Sequence, residues 1–394
     1  MSAPISLEKV LQAIRRADPS DLPELLAAAG TEFGATDVVL YLVDFEQQVL
    51  EPLPDRNSHA DLAETEHVGT TLAGRALLQR KAMTAARADG VRVWVPVVEG
   101  SDPTGVLALT VPDADDEQLA FCEDLGLLAG YLLATHARVT DVYNLYRRRQ
   151  SMSLAASMQW DLLPPLALAT RHVAAAGMVE PAYQVGGDCF DYAINGSTFH
   201  ASIMDSMGHG VRSSLLAALA GGSYRHDRRE GRPLPVIHRN IDAVVRDQFD
   251  GDAFVTGQLA SLELTTGSLR WINAGHLPPL LIRHGRVIGT LDCAPALPWG
   301  LGPGPRAPEV AKVSLEPGDS VLFYTDGVVE ARSATQRAFG AERLADLAGQ
   351  HASDHLPVPL IVRLLIHAVL EHHEHQLRDD ATIFLVQWAG PDGG

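Results

Sequence analysis

Aspartates border the apolar, β-rich runs in the second half of this chain. Three of them closely follow or precede such a run, and a fourth comes after two glycines. They are Asp205, Asp326, Asp379 and Asp188. Burying uncompensated carboxylates together in one core is very costly, but Mg²⁺ and Mn²⁺ prefer carboxylate, carbonyl and water oxygens as ligands. The pattern therefore predicts a site for divalent cations at the ends of several strands.

The same part of the chain indicates a mixed α+β domain over residues 166–390. The segment Leu162-Leu-Pro-Pro165 ends a helix, because proline cannot continue one. The short β-rich runs that follow it are broken by Gly, Pro and Asn and favour antiparallel strands. We expect strands at 199–205, 257–264, 268–273, 279–283, 320–326 and 381–388, and helices at 211–220, 235–248, 341–349 and 359–373.

Residues 1–140 show a different order of elements. Helical runs are expected at 7–16, 22–33 and 72–80, and strand-like runs at 37–44, 91–97 and 105–111. This layout resembles a GAF-type sensor domain, and another small α/β fold is the alternative. We therefore expect a GAF-like α/β sensor domain over residues 1–140 that binds an unidentified small molecule.

One long helix is expected from Glu117 to about Leu163, because this stretch contains few helix breakers. Two interpretations remain open: the helix packs on its own domain, or it continues as a parallel dimer coiled coil. In the second case residues 141–165 form a linker helix and the chain is a homodimer. The apolar residues, spaced close to a heptad, are Phe121, Leu125, Leu128, Leu132, Val139, Val142 and Tyr146.

Five short segments of the second domain occur in a specific order and spacing. They are Val-Gly-Gly-Asp188, Asp205-Ser-Met-Gly-His-Gly210, Asn273-Ala-Gly-His-Leu-Pro-Pro279, Tyr324-Thr-Asp326-Gly-Val and Asp379-Asp-Ala-Thr382. Together they resemble the metal-dependent protein phosphatases, the PPM or protein phosphatase 2C superfamily, in its SpoIIE-type bacterial branch. The resemblance covers about residues 155–390 and implies an α-β-β-α sandwich of two mostly antiparallel sheets flanked by helices.

The resemblance also implies roles for individual positions. Asp205 matches the catalytic carboxylate that bridges two metal ions, and Ser206 matches a residue that contributes its backbone carbonyl. Asp326 and Asp379 match ligands of the first ion, and Asp188 matches a ligand of the second ion. Supporting roles next to these ligands are expected for Asp380, Asp191, Gly208 and His209.

Several of these residues keep a structural alternative. Asp191 could equally serve the fold alone. His209 and His276 invite an acid–base role, but their surroundings, a Gly-His-Gly turn before a helix and a strand–turn–strand, favour packing or capping. Eukaryotic-type relatives grip phosphate with an arginine near the first motif, and Arg171 is the only arginine near that position here.

The function that the resemblance implies is a serine/threonine phosphatase. Two Mn²⁺ or Mg²⁺ ions would lower the pKa of a bridging water that attacks the phosphorus of phosphoserine or phosphothreonine. The branch implies an anti-anti-sigma factor, a STAS-domain protein, as the substrate in a partner-switching pathway that the GAF-like domain regulates. The alternative is a catalytically weak pseudo-phosphatase that acts as a ligand-sensing binding or scaffold protein.

A diguanylate cyclase is a weaker alternative. The segment Gly186-Gly-Asp-Cys-Phe190 differs from the loop of that family at one residue, where a glutamate is missing. The three downstream Asp motifs also argue against a cyclase.

Composition excludes several other classes. The chain has 49 acidic and 31 basic residues, a formal net charge of −18, which argues against nucleic acids and anionic membranes as partners. Three cysteines without metal-binding spacing indicate a reducing compartment. The N-terminus does not read as a signal peptide, and the longest apolar stretch, 125–135, is too short to span a bilayer. We therefore expect a cytoplasmic protein.

Overall fold

The computed structural model describes residues 18–54, 63–184, 186–333, 336–373, 377 and 379–393. The helix expected at 7–16 lies outside these residues. The chain divides into two compact units, Met1–Ser151 and Met152–Gly394.

The first unit is built on an antiparallel sheet of six strands in the order β3-β2-β1-β6-β5-β4. The strands are β1 (Thr36–Val43), β2 (Val49–Leu53), β3 (Glu66–His67), β4 (Met83–Arg87), β5 (Gly90–Glu99) and β6 (Asp102–Val111). The helices are α1 (Leu22–Glu32), α2 (Leu72–Gln79), α3 (Asp116–His136) and α4 (Val142–Arg147).

Helices cover both faces of this sheet, because successive side chains of a strand point to opposite faces. Leu40 and Leu42 of β1 pack in a cluster with α1 and α3. Tyr41 and Val43 of the same strand pack in a cluster with α2. The GAF-like identity of this α/β unit stays a prediction.

The expectation of one helix from 117 to 163 is wrong. Helix α3 ends at His136, α4 follows after a break, and α5 (Leu154–Leu162) starts anew. Thr140 lies in the break between α3 and α4, and its hydroxyl accepts a hydrogen bond from the backbone N–H of Val142. The Ser153 hydroxyl accepts one from the N–H of Ala156 and so caps the start of a new helix. The linker helix expected at 141–165 is therefore interrupted.

The residues with heptad-like spacing differ in their burial on the two sides of the break. Leu125 and Leu132 are buried against the sheet of the first unit, as the packing interpretation expects, whereas Val139 and Tyr146 are exposed. A continuous coiled coil through this region is thus excluded, and dimerisation itself stays a prediction.

The second unit is a sandwich of two antiparallel sheets, which confirms the fold class expected for residues 166–390. One sheet has the order β15-β12-β11-β10-β9 and the other β14-β13-β16-β17-β8-β7. The strands of the first sheet are β9 (Asp188–Asn195), β10 (Thr198–Ser206), β11 (Val255–Glu263), β12 (Ser268–Ala274) and β15 (Ala311–Ser314). Those of the second are β7 (Ala167–Ala169), β8 (Val173–Glu180), β13 (Leu280–Arg283), β14 (Arg286–Thr290), β16 (Ser320–Tyr324) and β17 (Ala381–Trp388).

Three apolar layers hold this sandwich together. Aromatic side chains such as Phe190, Phe199 and Phe384 fill the space between the sheets. Two helices cover the outer face of the five-stranded sheet, and two cover the outer face of the six-stranded sheet. These are α6 (Val211–Arg229) and α7 (Leu234–Phe249) on the first, and α9 (Ala341–Ser353) and α10 (Val358–His372) on the second, with the short α8 (Asp326–Glu330) between β16 and α9.

Among the helices within the described ranges, none is both long enough and apolar enough to cross a bilayer.

Candidate metal centre

Asp188 and Asp205 face each other on neighbouring strands of the five-stranded sheet. Asp188 is the first residue of β9, and the antiparallel register pairs it directly with Asp205 near the end of β10. Phe190 and Ile203 lie two residues away along these strands and pack between the sheets, so the period of two places both carboxylates on the inner face. Like charges in directly opposed positions destabilise a sheet, which makes this pair unusual for a purely structural site.

Asp326 and Asp379 approach from the six-stranded sheet. Asp326 lies two residues after β16, and Asp379 lies two residues before β17. These strands are neighbours, with Tyr324 paired to Ile383, so both aspartates lie at the same end of the sheet. They line one depression together with Glu330, Arg332 and His373.

The pKa values show that these carboxylates lie in each other's field. Burial, followed by the charges of Asp326, Asp379 and Asp380, raises the pKa of Asp205 to about 7. Burial, followed by the charges of Asp205 and Asp380, raises the pKa of Asp188 well above its ordinary value. The pKa of Asp326 is raised by burial and by Asp379. The structure thus brings the four predicted ligands into one region whose negative charge needs compensation.

The donor set fits hard divalent cations. Asp188 accepts two hydroxyl hydrogen bonds at Oδ2, and its Oδ1 accepts none from the described residues. Across the described part of the chain, no three His, Cys, Asp or Glu side chains are already close enough together to hold an ion. Cation binding would draw the carboxylates together against a mutual repulsion that the ions themselves offset.

Asp380 holds the loop that carries Asp188. Its Oδ2 accepts hydrogen bonds from the backbone N–H groups of Gly186 at 3.0 Å, Gly187 at 2.7 Å and Asp188 at 3.3 Å. Burial raises the pKa of Asp380, and these hydrogen bonds oppose the rise. Its contacts are therefore of the kind expected for a residue that supports a ligand.

The glycine-rich segments meet at this loop. A Cβ atom on Gly186 would lie 2.9 Å from the backbone nitrogen of Gly210, so the two segments approach too closely for a side chain. Gly208 and Gly210 have φ angles of 88° and 77°, which favour glycine. Gly208 therefore shapes the turn after Asp205, and His209 is exposed within that turn.

The Ser206 carbonyl, the predicted backbone ligand, already has one contact. It accepts a hydrogen bond from the Ser213 hydroxyl at 3.0 Å, and the Ser206 N–H donates to the carbonyl of Gly187 at 3.2 Å. A carbonyl oxygen has two lone pairs, so one remains for a cation.

Asp191 does not join the cluster. It lies three residues after Asp188 and so on the opposite face of β9. Its carboxylate accepts hydrogen bonds from Arg225 Nε at 2.8 Å and Arg228 Nη1 at 3.0 Å, both on α6. The expected supporting role beside the ligands is therefore corrected to the structural alternative, because the arginines hold this carboxylate against the helix layer.

His276 is a packing residue, as its surroundings in the sequence favoured. Its Nε2 lies 3.1 Å from the carbonyl of Tyr324 and its Nδ1 lies 2.9 Å from the Thr256 hydroxyl. A carbonyl only accepts, so Nε2 carries the proton and Nδ1 accepts from the hydroxyl. Burial lowers the pKa of His276 to about 4, so the neutral ring joins the two sheets next to the site.

Arg171 lies at the wrong end of the sandwich to grip phosphate. Strand β8 pairs Glu180 with Ala381, next to the acidic cluster, and pairs Val173 with Trp388 at its other end. Arg171 precedes Val173 and is exposed there. Arg332, which sequence analysis missed, lines the same depression as Asp326 and Asp379.

Two threonines next to the acids were also missed. Thr325 and Thr382 both contact Asp188. Strand periodicity contained the signal, because Thr325 lies two residues after Phe323 and Thr382 two before Phe384, and both phenylalanines face the space between the sheets.

We expect Asp205→Asn to stabilise the metal-free protein at pH 8 but not at pH 4. The folded protein holds the Asp205 proton up to about pH 7, whereas the unfolded chain releases it near pH 4, so this group's stabilising contribution is lost as pH rises between these values. The gain at pH 8 should be on the order of 4 kcal/mol, since one pKa unit corresponds to about 1.4 kcal/mol. Thermal unfolding of the unaltered chain and of Asp205→Asn in EDTA measures the difference in their stability. Both proteins contain the same histidines, so the effect of histidine titration cancels in this difference. Equal differences at the two pH values would contradict the raised pKa.

Comparison with known proteins gives consistent results. The family model described as SpoIIE, Stage II sporulation protein E, matches residues 195–389, a range that contains Asp205, Asp326 and Asp379 but not Asp188. Protein IcfG of Synechocystis sp. is 26% identical over an alignment of 196 positions that covers 42% of this chain and 30% of that protein. Phosphoserine phosphatase RsbU of Bacillus subtilis is 22% identical over 242 residues, 61% of this chain and 70% of that protein. The chain thus spans less than a third of the first relative and about two thirds of the second.

A solved structure shares the fold of the second unit. The SiaA-PP2C domain of Pseudomonas aeruginosa superposes with a TM-score of 0.50 and 22% identity, covering 59% of this chain and 94% of that domain. Together with the order of the acidic segments, the family match identifies a SpoIIE-family domain in the second unit of this chain, and the structural match shows that its two-sheet sandwich has the fold of a PP2C domain.

Proposed function

We propose that this chain is a metal-dependent phosphatase that hydrolyses phosphoserine or phosphothreonine in a protein. The observation that carries the proposal is the convergence of four carboxylates from the strand ends of both sheets at one end of the sandwich. These are Asp188, Asp205, Asp326 and Asp379. Carboxylates so placed, in a domain of this family, supply the oxygen ligands that Mn²⁺ or Mg²⁺ requires.

The position of each residue in the cluster suggests its role in the proposed reaction. Bound among these acids, two divalent cations would lower the pKa of a water and hold phosphate oxygens. Asp205 would bind both cations, since it faces Asp188 on the adjacent strand and lies in the electric field of Asp326 and Asp379. The backbone carbonyl of Ser206 would help to hold the cation bound by Asp188. Arg332 offers its guanidinium to the phosphate from the same depression.

The proposed substrate is a phosphorylated STAS-domain protein of a partner-switching pathway in the cytoplasm. Support comes from the SpoIIE-type motifs and from the relative named as a phosphoserine phosphatase. The first unit would act as a GAF-like sensor for a small ligand and regulate the phosphatase, in a homodimer. Its sheet, covered on both faces by helices, is compatible with that role.

We expect the full chain to release phosphate from p-nitrophenyl phosphate and from a phosphoserine STAS-domain protein in the presence of Mn²⁺. Removing the cation with EDTA should abolish release, because the carboxylates alone only repel the phosphate. Restoring Mn²⁺ in excess of EDTA should recover it, and phosphate release is measured directly.

The same assay separates the phosphatase from the scaffold alternative. A protein that binds the STAS-domain phosphoprotein but releases no phosphate from either compound, with either Mn²⁺ or Mg²⁺, would overturn the enzymatic proposal and favour the pseudo-phosphatase.

A further inference from the structure

Two threonine hydroxyls hold one oxygen of the Asp188 carboxylate. Thr325 Oγ1 lies 2.6 Å and Thr382 Oγ1 lies 2.8 Å from Asp188 Oδ2. All three residues are buried. Thr382 belongs to β17 of the six-stranded sheet and Thr325 directly follows β16 of that sheet, whereas Asp188 begins β9 of the opposite sheet. These contacts therefore tie the two sheets together at the acidic cluster.

The hydrogen atoms in this arrangement are determined by the neighbouring groups. Thr325 Oγ1 accepts a hydrogen bond from the backbone N–H of Thr382 at 2.9 Å, which leaves its own proton for the carboxylate. In the ionised form that would bind a cation, the Asp188 carboxylate only accepts, so Thr382 then donates its hydroxyl proton as well. Asp188 Oδ2 thus receives two hydrogen bonds, and the carboxylate cannot rotate without breaking both.

The backbone around these side chains is equally constrained. The Thr325 N–H donates to the Thr382 carbonyl at 3.1 Å, and the Asp188 N–H donates to Asp380. The Gln159 side-chain amide of α5 donates to the Asp188 carbonyl. The position of Asp188 Oδ1 is therefore defined by groups that themselves have little freedom.

We propose that Thr325 and Thr382 are positioning residues of a cation site, and that they fix the Asp188 carboxylate so that Oδ1 alone faces the cation. This inference rests on the proposed function, since the cation is the one that the phosphatase would use. The threonines act through Asp188 and touch neither substrate nor cation. Outer hydrogen-bond partners of this kind orient metal ligands and tune their affinity.

The test is Mn²⁺ binding by the full chain, measured by calorimetric titration and by electron paramagnetic resonance of free Mn²⁺. Thr382→Val removes one hydroxyl while leaving the Thr325 bond to the Thr382 backbone intact. We expect the affinity of one of two Mn²⁺ sites to fall by about 10- to 100-fold, while the other site changes little. Thr325→Val provides a second variant with the same expected loss.

Thr382→Ser is the matched control, because it keeps the hydroxyl and removes only a methyl group. We expect it to bind Mn²⁺ like the unaltered chain, and circular dichroism of the metal-free proteins should show the same fold for all variants. Unchanged Mn²⁺ affinity in the two valine variants would overturn the inference, as would an equal loss in Thr382→Ser.

These outcomes are distinct from failure of the proposed function. If the unaltered chain binds no Mn²⁺ at all, the phosphatase proposal fails and this inference fails with it. If the unaltered chain binds two ions and the valine variants do the same, only the role of the threonines is refuted.

Discussion

Asp205→Asn should abolish Mn²⁺-dependent phosphate release while the protein remains folded. The substitution removes the negative charge from the carboxylate that faces Asp188 and lies in the field of Asp326 and Asp379. An amide is a poor ligand for a bridging position between two cations, and we expect kcat/KM to fall by about 10³-fold or more. Initial rates with p-nitrophenyl phosphate at saturating Mn²⁺ measure the effect.

Asp354→Asn is the matched control, since Asp354 is an exposed aspartate of the same unit that follows helix α9. It should retain the full rate. Activity of Asp205→Asn within about tenfold of the unaltered chain would contradict the bridging role, because loss of such a ligand must cost far more.

Asp191→Ala should destabilise the second unit more than any surface substitution. The change leaves Arg228, whose side chain is 7% exposed, and Arg225, at 26%, without their shared carboxylate. Removing one partner of a buried ion pair costs about 3–5 kcal/mol, because a charge remains buried and uncompensated. Urea unfolding followed by circular dichroism measures the change in the free energy of unfolding.

The control for this ion pair is Asp247→Ala. Asp247 is 69% exposed and lies 3.7 Å from Arg246, so its loss should cost less than about 1 kcal/mol. The folded fraction of Asp191→Ala should bind Mn²⁺ normally, because Asp191 lies on the face of β9 away from Asp188. A selective loss of Mn²⁺ affinity would restore the supporting role that the sequence suggested.

Sequence patterns located six of the eleven strands described in the second unit and missed β7, β8, β9, β14 and β15. Strand β8 lies inside the six-stranded sheet, between β17 and β7, although its sequence Val-Ala-Ala-Ala-Gly-Met-Val-Glu is poor in residues that favour strands. Pairing along its full length with β17 stabilises it. Such support comes from a segment some two hundred residues away, which local propensity cannot reveal.

The interruption of the helix after residue 136 shows the opposite error, because here local patterns predicted a regular element that does not form. The stretch lacks strong breakers, so local propensity favoured one helix. The side chains of Thr140 and Ser153 instead hydrogen-bond to nearby backbone groups, and such local bonds compete with helix formation. Leu125 and Leu132 are buried against the sheet of the first unit, and this packing stabilises α3.

The sequence alone predicted the cation chemistry that we propose for the second unit. Hard cations demand carboxylate oxygens, and the positions of Asp188, Asp205, Asp326 and Asp379 beside β-rich runs predicted a shared site at strand ends. The tertiary structure decided which other residues contact these acids. Thr325 and Thr382 reach Asp188 across 137 and 194 residues of sequence, and Asp191 turns away although it is only three residues distant. Strand alternation and the stacking of two sheets set these contacts, and both become definite only when the sheets have packed.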